Sequence, residues 1–334
     1  TFDLAFGETG QTDWQWTATP RSLDGAALDE KLRRELSDAV ASNFAIEYPM
    51  PLLRESRFIK FEEPSAGYNM LDGLSRELLE GRGEIELEFG RSVLLEAGGA
   101  LDFLLRYPYG CLEQTTSSTI PWIAALNLRN VAPAFRNKTE KEIRRNIQAG
   151  TDRLISMQCD DGGFGYWASS DHSKLWASAY GGMALLLCRE AGANVPESVL
   201  KGLRQYLADE LRGIGEAQHW WEIETACQSC FTLALAGKPQ VPYHNKLLEN
   251  PERLTPTALN FLALAVARSG ADNAAGQARE ILALKGQPRK GDRHFMSSKP
   301  TAAHRLLALV NIDPESPDCD EAISRIIKSR GRRS

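Results

Sequence analysis

The stretch SAYGGMALLLCREAGANVPESVLKGLRQYLADEL, residues 178–211, contains two segments of different character joined by a short turn. Residues 178–192 are apolar almost all round, which is typical of a helix that is buried on every side. Residues 197–211 follow Pro196 and carry apolar side chains at helical spacing, which is typical of a helix with one face in water. The stretch therefore predicts a helical hairpin with one inner and one outer member.

Similar text continues through the whole chain after residue 97. The segments that predict further helices are TEKEIRRNIQAGTDRLISMQ (139–158), ETACQSCFTLALAG (224–237), TPTALNFLALAVARSG (255–270), TAAHRLLALV (301–310) and CDEAISRIIKSRG (319–331). Thr139 and Glu142 have the spacing of a capping box, and Pro256 falls at the first turn of its helix. About ten helices follow one another, and apolar helices alternate with amphipathic ones. This order predicts stacked helical hairpins, either an α/α barrel or a solenoid.

The first 96 residues have a different pattern. DWQWTATP (13–20) and EIELEFGRSVLL (84–95) alternate or run apolar at strand period. LDEKLRRELSDAV (28–40) predicts one helix, because Leu28, Leu32 and Leu36 recur on one face. We therefore predict a smaller β-rich region over residues 1–96 and a mainly α domain over residues 97–334.

The composition narrows the class of protein. Charged residues make up 25% of the 334 residues and the formal net charge is −5, so no basic face for nucleic acid is expected. No run approaches the roughly 18 apolar residues of a membrane span. The chain opens without a signal peptide and reads as a piece of a longer protein, so this opening says little about compartment. The six cysteines lie mostly in apolar helical text, which favours free thiols over disulfides.

Two cysteines form a CQSC motif, Cys227 to Cys230, inside an apolar helix. A CxxC pair serves in zinc sites and in redox chemistry, but a zinc site needs two more ligands. The sequence has no second CxxC and no HxxxH, so core packing is the favoured interpretation. His219, beside two tryptophans, is likewise expected to pack or to form a structural hydrogen bond.

The connection QCDDGGFGYWASSDHSKLW (158–176) combines a glycine turn with aromatic side chains. The favoured interpretation is a helix-to-helix turn whose aromatics plug one end of the barrel. The alternative is a ligand-binding loop in which Asp160, Asp161 and His172 hold a metal ion. No spacing fixes a fourth ligand, so the metal signal is weak.

The stretch YPYGCLEQTTSSTIPW (107–122) places a thiol and a side-chain amide three residues apart, at Cys111 and Gln114. Side chains at i and i+3 meet across one helical turn. Attack of the sulfur on the glutamine carbonyl, with loss of ammonia, would give an internal thioester, which survives only where water is excluded. Tyr107, Tyr109 and Trp122 are candidates for that shielding. The alternatives are a small buried cysteine at a helix start, or a nucleophile whose base the sequence does not place nearby.

The motif GCLEQ, within GGALDFLLRYPYGCLEQTTSSTIPW (98–122), resembles the thioester motif of the alpha-2-macroglobulin and complement family, and the bacterial members in particular. Gly110, Cys111, Glu113 and Gln114 match it. The resemblance implies that Cys111 gives the sulfur and Gln114 the acyl carbon, while Glu113 receives no chemical role. It also implies an α/α toroid over residues 97–334, with a macroglobulin- or CUB-like segment before it.

The resemblance has two departures. A complete toroid has about twelve helices, and the sequence reaches only about the tenth, so the last hairpin is expected to be missing. Some members carry a histidine that directs the acyl group towards hydroxyls. That histidine lies roughly a third of the way into the domain, where LRGIGEAQHWWE (211–222) offers only His219, which aligns poorly. The preference for amines or hydroxyls therefore stays open.

The function that the resemblance implies is part of a protease trap rather than an enzyme. Its partners would be target proteases, captured covalently, and the other domains of a full-length macroglobulin in the periplasm or at the cell surface. No nucleic acid, metal or cofactor is expected. Two alternatives stay open: an α/α-toroid enzyme of the prenyltransferase or cyclase type, and a helical-repeat binding module.

Overall fold

The computed structural model describes residues 10–23, 25–46, 98–105, 110–130, 132–217, 219–287 and 300–328, together with single positions between residues 59 and 89. Contacts divide the chain into two compact units, Thr1–Arg57 and Phe58–Arg332. The predicted boundary at residues 96 and 97 stays a prediction, because few residues between 47 and 97 are described.

The first unit is built on an antiparallel strand pair. Strand β1 (Gly10–Ala18) pairs with β4 (Asp38–Ile46) from Gly10 opposite Ile46 to Ala18 opposite Asp38. Between them lie the short pair β2 (Ser22–Leu23) and β3 (Ala26–Ala27) and helix α1 (Glu30–Glu35).

The helix predicted over residues 28–40 is therefore too long. Asp29 caps its start through a 2.7 Å hydrogen bond from the Leu32 N–H, but it ends at Glu35 because residues from Asp38 onward pair with β1. Leu32 and Leu36 are exposed rather than buried. The predicted strand at 84–95 lies outside the described residues except for Ile85, Leu87 and Phe89, which are exposed.

The second unit is helical. Its described α-helices are α2 (Gly98–Leu105), α3 (Leu112–Leu128), α4 (Glu140–Ile155), α5 (Leu175–Glu190), α6 (Glu197–Glu210), α7 (Trp220–Leu235), α8 (Val241–Leu248), α9 (Pro256–Ala267), α10 (Ala274–Ala283), α11 (Pro300–Ile312) and α12 (Asp318–Lys328). Short 3₁₀ turns at Pro133–Phe135, Leu211–Glu216 and Pro251–Arg253 connect some of them.

These helices form successive hairpins of one inner and one outer member. The inner helices α3, α5, α7, α9 and α11 pack each against the next, and each is followed by an outer helix that packs back on it. Two of the inner helices are buried on all sides: every residue of α7 from Ile223 to Ala234 is buried, as is every residue of α9 from Thr257 to Val266. The predicted mainly α, α/α-toroid architecture is confirmed.

Local start signals act as the sequence predicts. The Glu142 N–H donates to Thr139 Oγ1 at 3.2 Å at the start of α4, and Thr255 caps α9 just before Pro256. All six cysteines are free, and three of them, Cys188, Cys227 and Cys230, are buried.

Two apolar clusters fill the helical unit. The larger one runs along the inner helices and contains Leu112, at the first turn of α3. The smaller one lies between α3, α4 and the 3₁₀ turn and contains Trp122, Phe135 and Ile143. The start of α3 is thus anchored in the main core, and its later turns in the second cluster.

Candidate functional site

The GCLEQ motif lies at the N-terminus of inner helix α3. Cys111 is the N-cap residue, with an extended backbone (φ −74°, ψ 166°), and Gln114 is the third helical residue. An N-cap residue and the third helical residue are the pair whose side chains and backbone meet in a capping box. The helix start therefore brings the thiol and the amide to one turn.

Gln114 folds back towards Cys111 rather than pointing into solvent. The backbone N–H of Cys111 donates to Gln114 Oε1 at 3.2 Å, and the Cys111 side chain faces the backbone N–H of Gln114. Both residues are half-buried.

A hydrogen bond to the carbonyl oxygen polarises the amide and stabilises the oxyanion that forms when a nucleophile attacks its carbon. The arrangement places an amide with a hydrogen-bonded carbonyl oxygen on the same turn as a thiol.

The residues on either side of Cys111 are held by neighbouring elements. Arg153 of α4 donates through Nη2 to the Gly110 carbonyl at 3.1 Å. The Leu112 N–H donates to the Tyr166 carbonyl at 2.8 Å, which satisfies one of the free N–H groups at the helix start. The Leu112 side chain is fully buried. Main-chain contacts on both sides thus fix the position of Cys111.

A line of aromatic rings runs from this point along α5. The centroids of Tyr166 and Trp176 are 6.3 Å apart, and those of Trp176 and Tyr180 are 5.4 Å apart. Burial raises the pKa of Tyr166, and the electrostatic effect of Cys111 raises it further. Burial likewise raises the pKa of Tyr180. The line of rings begins at Tyr166, the residue whose carbonyl accepts the Leu112 N–H.

Glu113 is exposed to solvent at the first turn of α3. Its Oε1 accepts a 2.8 Å hydrogen bond from Ser117 Oγ, which lies 3.1 Å from Tyr180 Oη. The sequence predicted only that this carboxylate stays outside the apolar surround, and its exposure agrees with that. The contact also ties the first turn of α3 to α5.

The structure does not bring all predicted shielding residues to Cys111. Tyr107 and Tyr109 lie outside the described residues. Trp122 is 8% exposed, but it packs in the smaller cluster with Phe135 and lies beneath Lys138 Nζ, 5.7 Å from the ring. Trp122 is eleven residues along the helix from Cys111, which corresponds to about 16 Å of rise.

The loop at 158–174 has a structural explanation for its acidic residue Asp161. Asp161 accepts hydrogen bonds from the Gly163 N–H at 3.0 Å and from Ser173 Oγ at 2.6 Å, both within the loop. Among the described residues no group of three His, Cys, Asp or Glu side chains could hold a metal ion.

Of the aromatic residues in the same loop, Phe164 is fully buried, as expected of a plug, whereas Tyr166 is 40% and Trp167 52% exposed. The expectation that all of them plug the barrel end is wrong, because only Phe164 points into the core.

The remaining candidates have separate positions. Cys227 and Cys230 lie on α7 and are fully buried in the larger apolar cluster. Burial raises the pKa of Cys230 to about 12 and that of Cys227 well above its usual value. His219 is the exposed N-cap residue of α7 and stacks on Trp221 at 5.7 Å.

Three residues at the site escaped the sequence analysis: Arg153, Tyr166 and Trp176. Arg153 reads as an ordinary exposed residue of an amphipathic helix. The loop did indicate that its aromatic rings need a packing partner. Spacing alone could not show that the Tyr166 ring packs against Trp176 or that the Tyr166 carbonyl binds the start of α3.

The fold is an α/α toroid with the GCLEQ turn at the start of its first inner helix. Residues 88–221 match the family model described as "A-macroglobulin TED domain". The chain is 32% identical over 200 residues to the alpha-2-macroglobulin of Escherichia coli K12, and 31% identical over 176 residues to that of Thermotoga maritima. It is homologous to bacterial alpha-2-macroglobulins, which confirms the resemblance seen in the motif.

The matches cover only part of the relatives. The alignments include 58% and 52% of this chain but 12% and 10% of these two proteins. Native E. coli alpha-2-macroglobulin from domain MG7 to the C-terminus superposes with a TM-score of 0.66 at 19% identity, over 97% of this chain and 51% of that one. Salmonella alpha-2-macroglobulin reacted with methylamine gives 0.62 at 20% identity, over 99% and 22%. These structures share the fold.

The comparisons bear on the open classes of function. Alpha-2-macroglobulin family members are protease inhibitors rather than enzymes, which is consistent with the prediction that this chain is not an enzyme. Within the described residues, no helix is long and apolar enough to span a bilayer.

Proposed function

We propose that this chain is the thioester-bearing part of a bacterial alpha-2-macroglobulin-like protease trap. The observation that carries the proposal is the turn at Cys111 and Gln114, where the amide carbonyl accepts the Cys111 N–H at 3.2 Å. The homology to bacterial alpha-2-macroglobulins supports it independently.

Thioester formation needs only the two side chains. The Cys111 sulfur attacks the Gln114 carbonyl carbon, the C–N bond breaks, and ammonia leaves with the thiol proton. The Cys111 N–H that now binds Oε1 stabilises the oxyanion of the intermediate. Because both residues belong to one helical turn, the reaction is intramolecular and its entropy cost is low.

In capture the Cys111 sulfur, which is the nucleophile during thioester formation, becomes the leaving group. An amine of a protease, such as a lysine side chain, attacks the same carbon, the C–S bond breaks, and Cys111 leaves as a thiolate. The product is an amide between Gln114 and the protease, and the event happens once per molecule. Thiolate is a good leaving group, so the bond stores its reactivity until a nucleophile reaches it.

The structural neighbours support this assignment by analogy. They include an E. coli alpha-2-macroglobulin activated by trypsin, one activated by porcine elastase, and the Salmonella protein reacted with methylamine. We propose proteases as partners of the full-length protein here, together with its other domains, and an extracytoplasmic location in the periplasm or at the cell surface. Fractionation of cells that produce the full-length protein tests the location.

The test of function is covalent capture. The full-length protein is incubated with trypsin and resolved under denaturing, reducing conditions. We expect a species of higher mass that contains both proteins, and its loss in Cys111→Ala. Cys230→Ala is the matched control, a buried cysteine of the same unit. A Cys111→Ala protein that still forms the adduct contradicts the proposal.

A further inference from the structure

The peptide unit that joins Gly110 to Cys111 lies between two hydrogen bonds. Its carbonyl oxygen, on Gly110, accepts a hydrogen bond from Arg153 Nη2 at 3.1 Å. Its N–H, on Cys111, donates to Gln114 Oε1 at 3.2 Å. Because a trans peptide unit is planar, its C=O and N–H point in opposite directions and turn together. The bond from Arg153 therefore helps to fix the direction in which the Cys111 N–H meets the amide oxygen.

Arg153 reaches this peptide unit because α3 and α4 are closely packed. A Cβ built on Gly150 of α4 would lie 2.2 Å from Thr119 Oγ1 of α3, so the two helices meet at a position where only glycine fits. Thr119 Oγ1 donates at 2.6 Å to the Thr115 carbonyl, which holds it in place. The two helices of a hairpin run in opposite directions, so the turn of α4 after Gly150 lies beside the first turns of α3. Arg153 belongs to that turn of α4, and its backbone is fixed by this contact.

Arg153 also has a purely structural explanation. It lies in the last turn of α4, where a cation interacts favourably with the carbonyl end of the helix. Its side chain is exposed, so its bond to Gly110 could also serve only to tether the first turn of α3. Neither of these roles changes the chemistry of Gln114.

A cation at the carbonyl end of a peptide unit changes the N–H at the other end. A hydrogen bond from a charged donor is roughly twice as strong as one between neutral groups. Hydrogen bonds that follow one another in a chain polarise each other, so the Cys111 N–H becomes a stronger donor to Gln114 Oε1. A strong donor that is already in position stabilises the negative oxygen of a tetrahedral intermediate more than the neutral amide oxygen.

We infer that Arg153 is a positioning residue for the chemistry of Cys111 and Gln114. It orients and polarises the Gly110–Cys111 peptide unit, whose N–H donates to the oxyanion that forms on Gln114. This inference rests on the proposed function and adds to it a residue of another helix that the motif does not contain. Arg153 does not touch the reacting atoms and acts only through the peptide unit.

The reaction that tests this role is the opening of the bond by ammonia, which is the reverse of its formation. The nitrogen of ammonia attacks the Gln114 acyl carbon and the C–S bond breaks. The Cys111 sulfur leaves as a thiolate and takes up the proton that the nitrogen loses, so the products are the Gln114 amide and a free thiol. Opening and formation pass through the same tetrahedral intermediate, so a group that stabilises this intermediate speeds both directions.

The experiment measures the rate of thiol release by ammonia in the full-length protein at a fixed pH. Arg153→Ala removes the guanidinium, and Arg153→Lys keeps a cation on a different donor group. Arg145→Ala is the matched control, because it removes the same charge from another exposed position of α4.

We expect Arg153→Ala to open about three- to tenfold more slowly than wild type, a smaller effect than loss of an oxyanion donor, because the Cys111 N–H itself remains. Arg153→Lys should recover part of this loss. Arg145→Ala should stay within about twofold of the wild-type rate, because an exposed charge is screened by solvent.

The direction of the change separates this role from a tether. If Arg153 only tethered the turn, its loss would leave the bond as accessible as before or more so. Opening of Arg153→Ala at the wild-type rate or faster therefore overturns the inference. If Arg153→Ala forms no bond, Arg153→Lys decides in the same assay: slower opening than wild type supports the inference, and an equal or faster rate overturns it. If the wild-type protein releases no thiol with ammonia, the proposed function itself fails.

Discussion

Replacement of Gly162 by alanine tests how firmly the loop at residues 158–174 is held. Gly162 has φ +87°, where a residue with a Cβ is strained by about 1–2 kcal/mol. The added Cβ would also lie 2.5 Å from the Gly202 carbonyl oxygen, 2.6 Å from its carbon and 2.8 Å from its Cα. All three atoms are backbone, so the contact is relieved only by moving the loop or α6, an overpacking cost of about 1–3 kcal/mol. We therefore expect Gly162→Ala to lower the free energy of unfolding by about 2–5 kcal/mol.

A matched glycine separates the two contributions. Gly237 has φ +69°, but an added Cβ there meets nothing within 4 Å. Gly237→Ala should therefore cost only the backbone term, about 1–2 kcal/mol. Urea unfolding of both variants, followed by circular dichroism, measures the difference. Equal losses in the two variants would refute the claim that the loop is packed tightly on α6.

Other parts of the account give separate expectations. Trp122→Ala should lower the free energy of unfolding in urea by about 3–5 kcal/mol, because the second cluster loses a large ring. Spontaneous thiol release should nevertheless stay at the wild-type rate. A faster release would show that Trp122 does shield Cys111 from water. Cys227 and Cys230 should not react with a thiol reagent at pH 8 in the folded protein, since burial raises both pKa values, and should react fully in urea; labelling of the folded protein at either position contradicts their placement. His244, 2% exposed, has its pKa lowered from 6.5 to about 4 by burial, so the unfolded chain binds more protons between these values. The neutral, buried His244 therefore contributes about 3 kcal/mol to the free energy of unfolding above pH 6.5, and this contribution is lost as the pH falls to about 4. His244→Gln should flatten the dependence of stability on pH in that range. An unchanged slope would contradict the burial of His244.

The sequence predicts the toroid well because its signals are local. The residues of α7 and α9 are apolar on all faces, so these helices are expected in the interior. Thr139 and Pro256 mark helix starts through their own side chains. The helix predicted at residues 28–40 is too long for a non-local reason: Asp38 and the residues after it pair with residues that lie twenty or more positions earlier. Propensity within the segment does not contain that pairing.

The candidate site likewise has a part that local sequence predicts and a part that depends on long-range contacts. The i, i+3 spacing of Cys111 and Gln114 predicts their meeting, and the capping geometry agrees with it. Tyr166 was out of reach of spacing arguments, because its contact with Leu112 depends on how the loop before α5 folds over the start of α3. Trp122 was a candidate for shielding the thiol because it is near in sequence, but the rise along α3 places it in the second cluster.

The thioester itself is tested most directly by the mass of the resting full-length protein, followed by peptide mapping of residues 107–122. The account predicts an intact mass below the sequence mass by one ammonia. It also predicts that methylamine adds at Gln114 and frees one thiol at Cys111, and that Cys111→Ala abolishes both effects. A resting protein that carries the full sequence mass, with an unmodified Gln114 after methylamine treatment, would contradict the central claim.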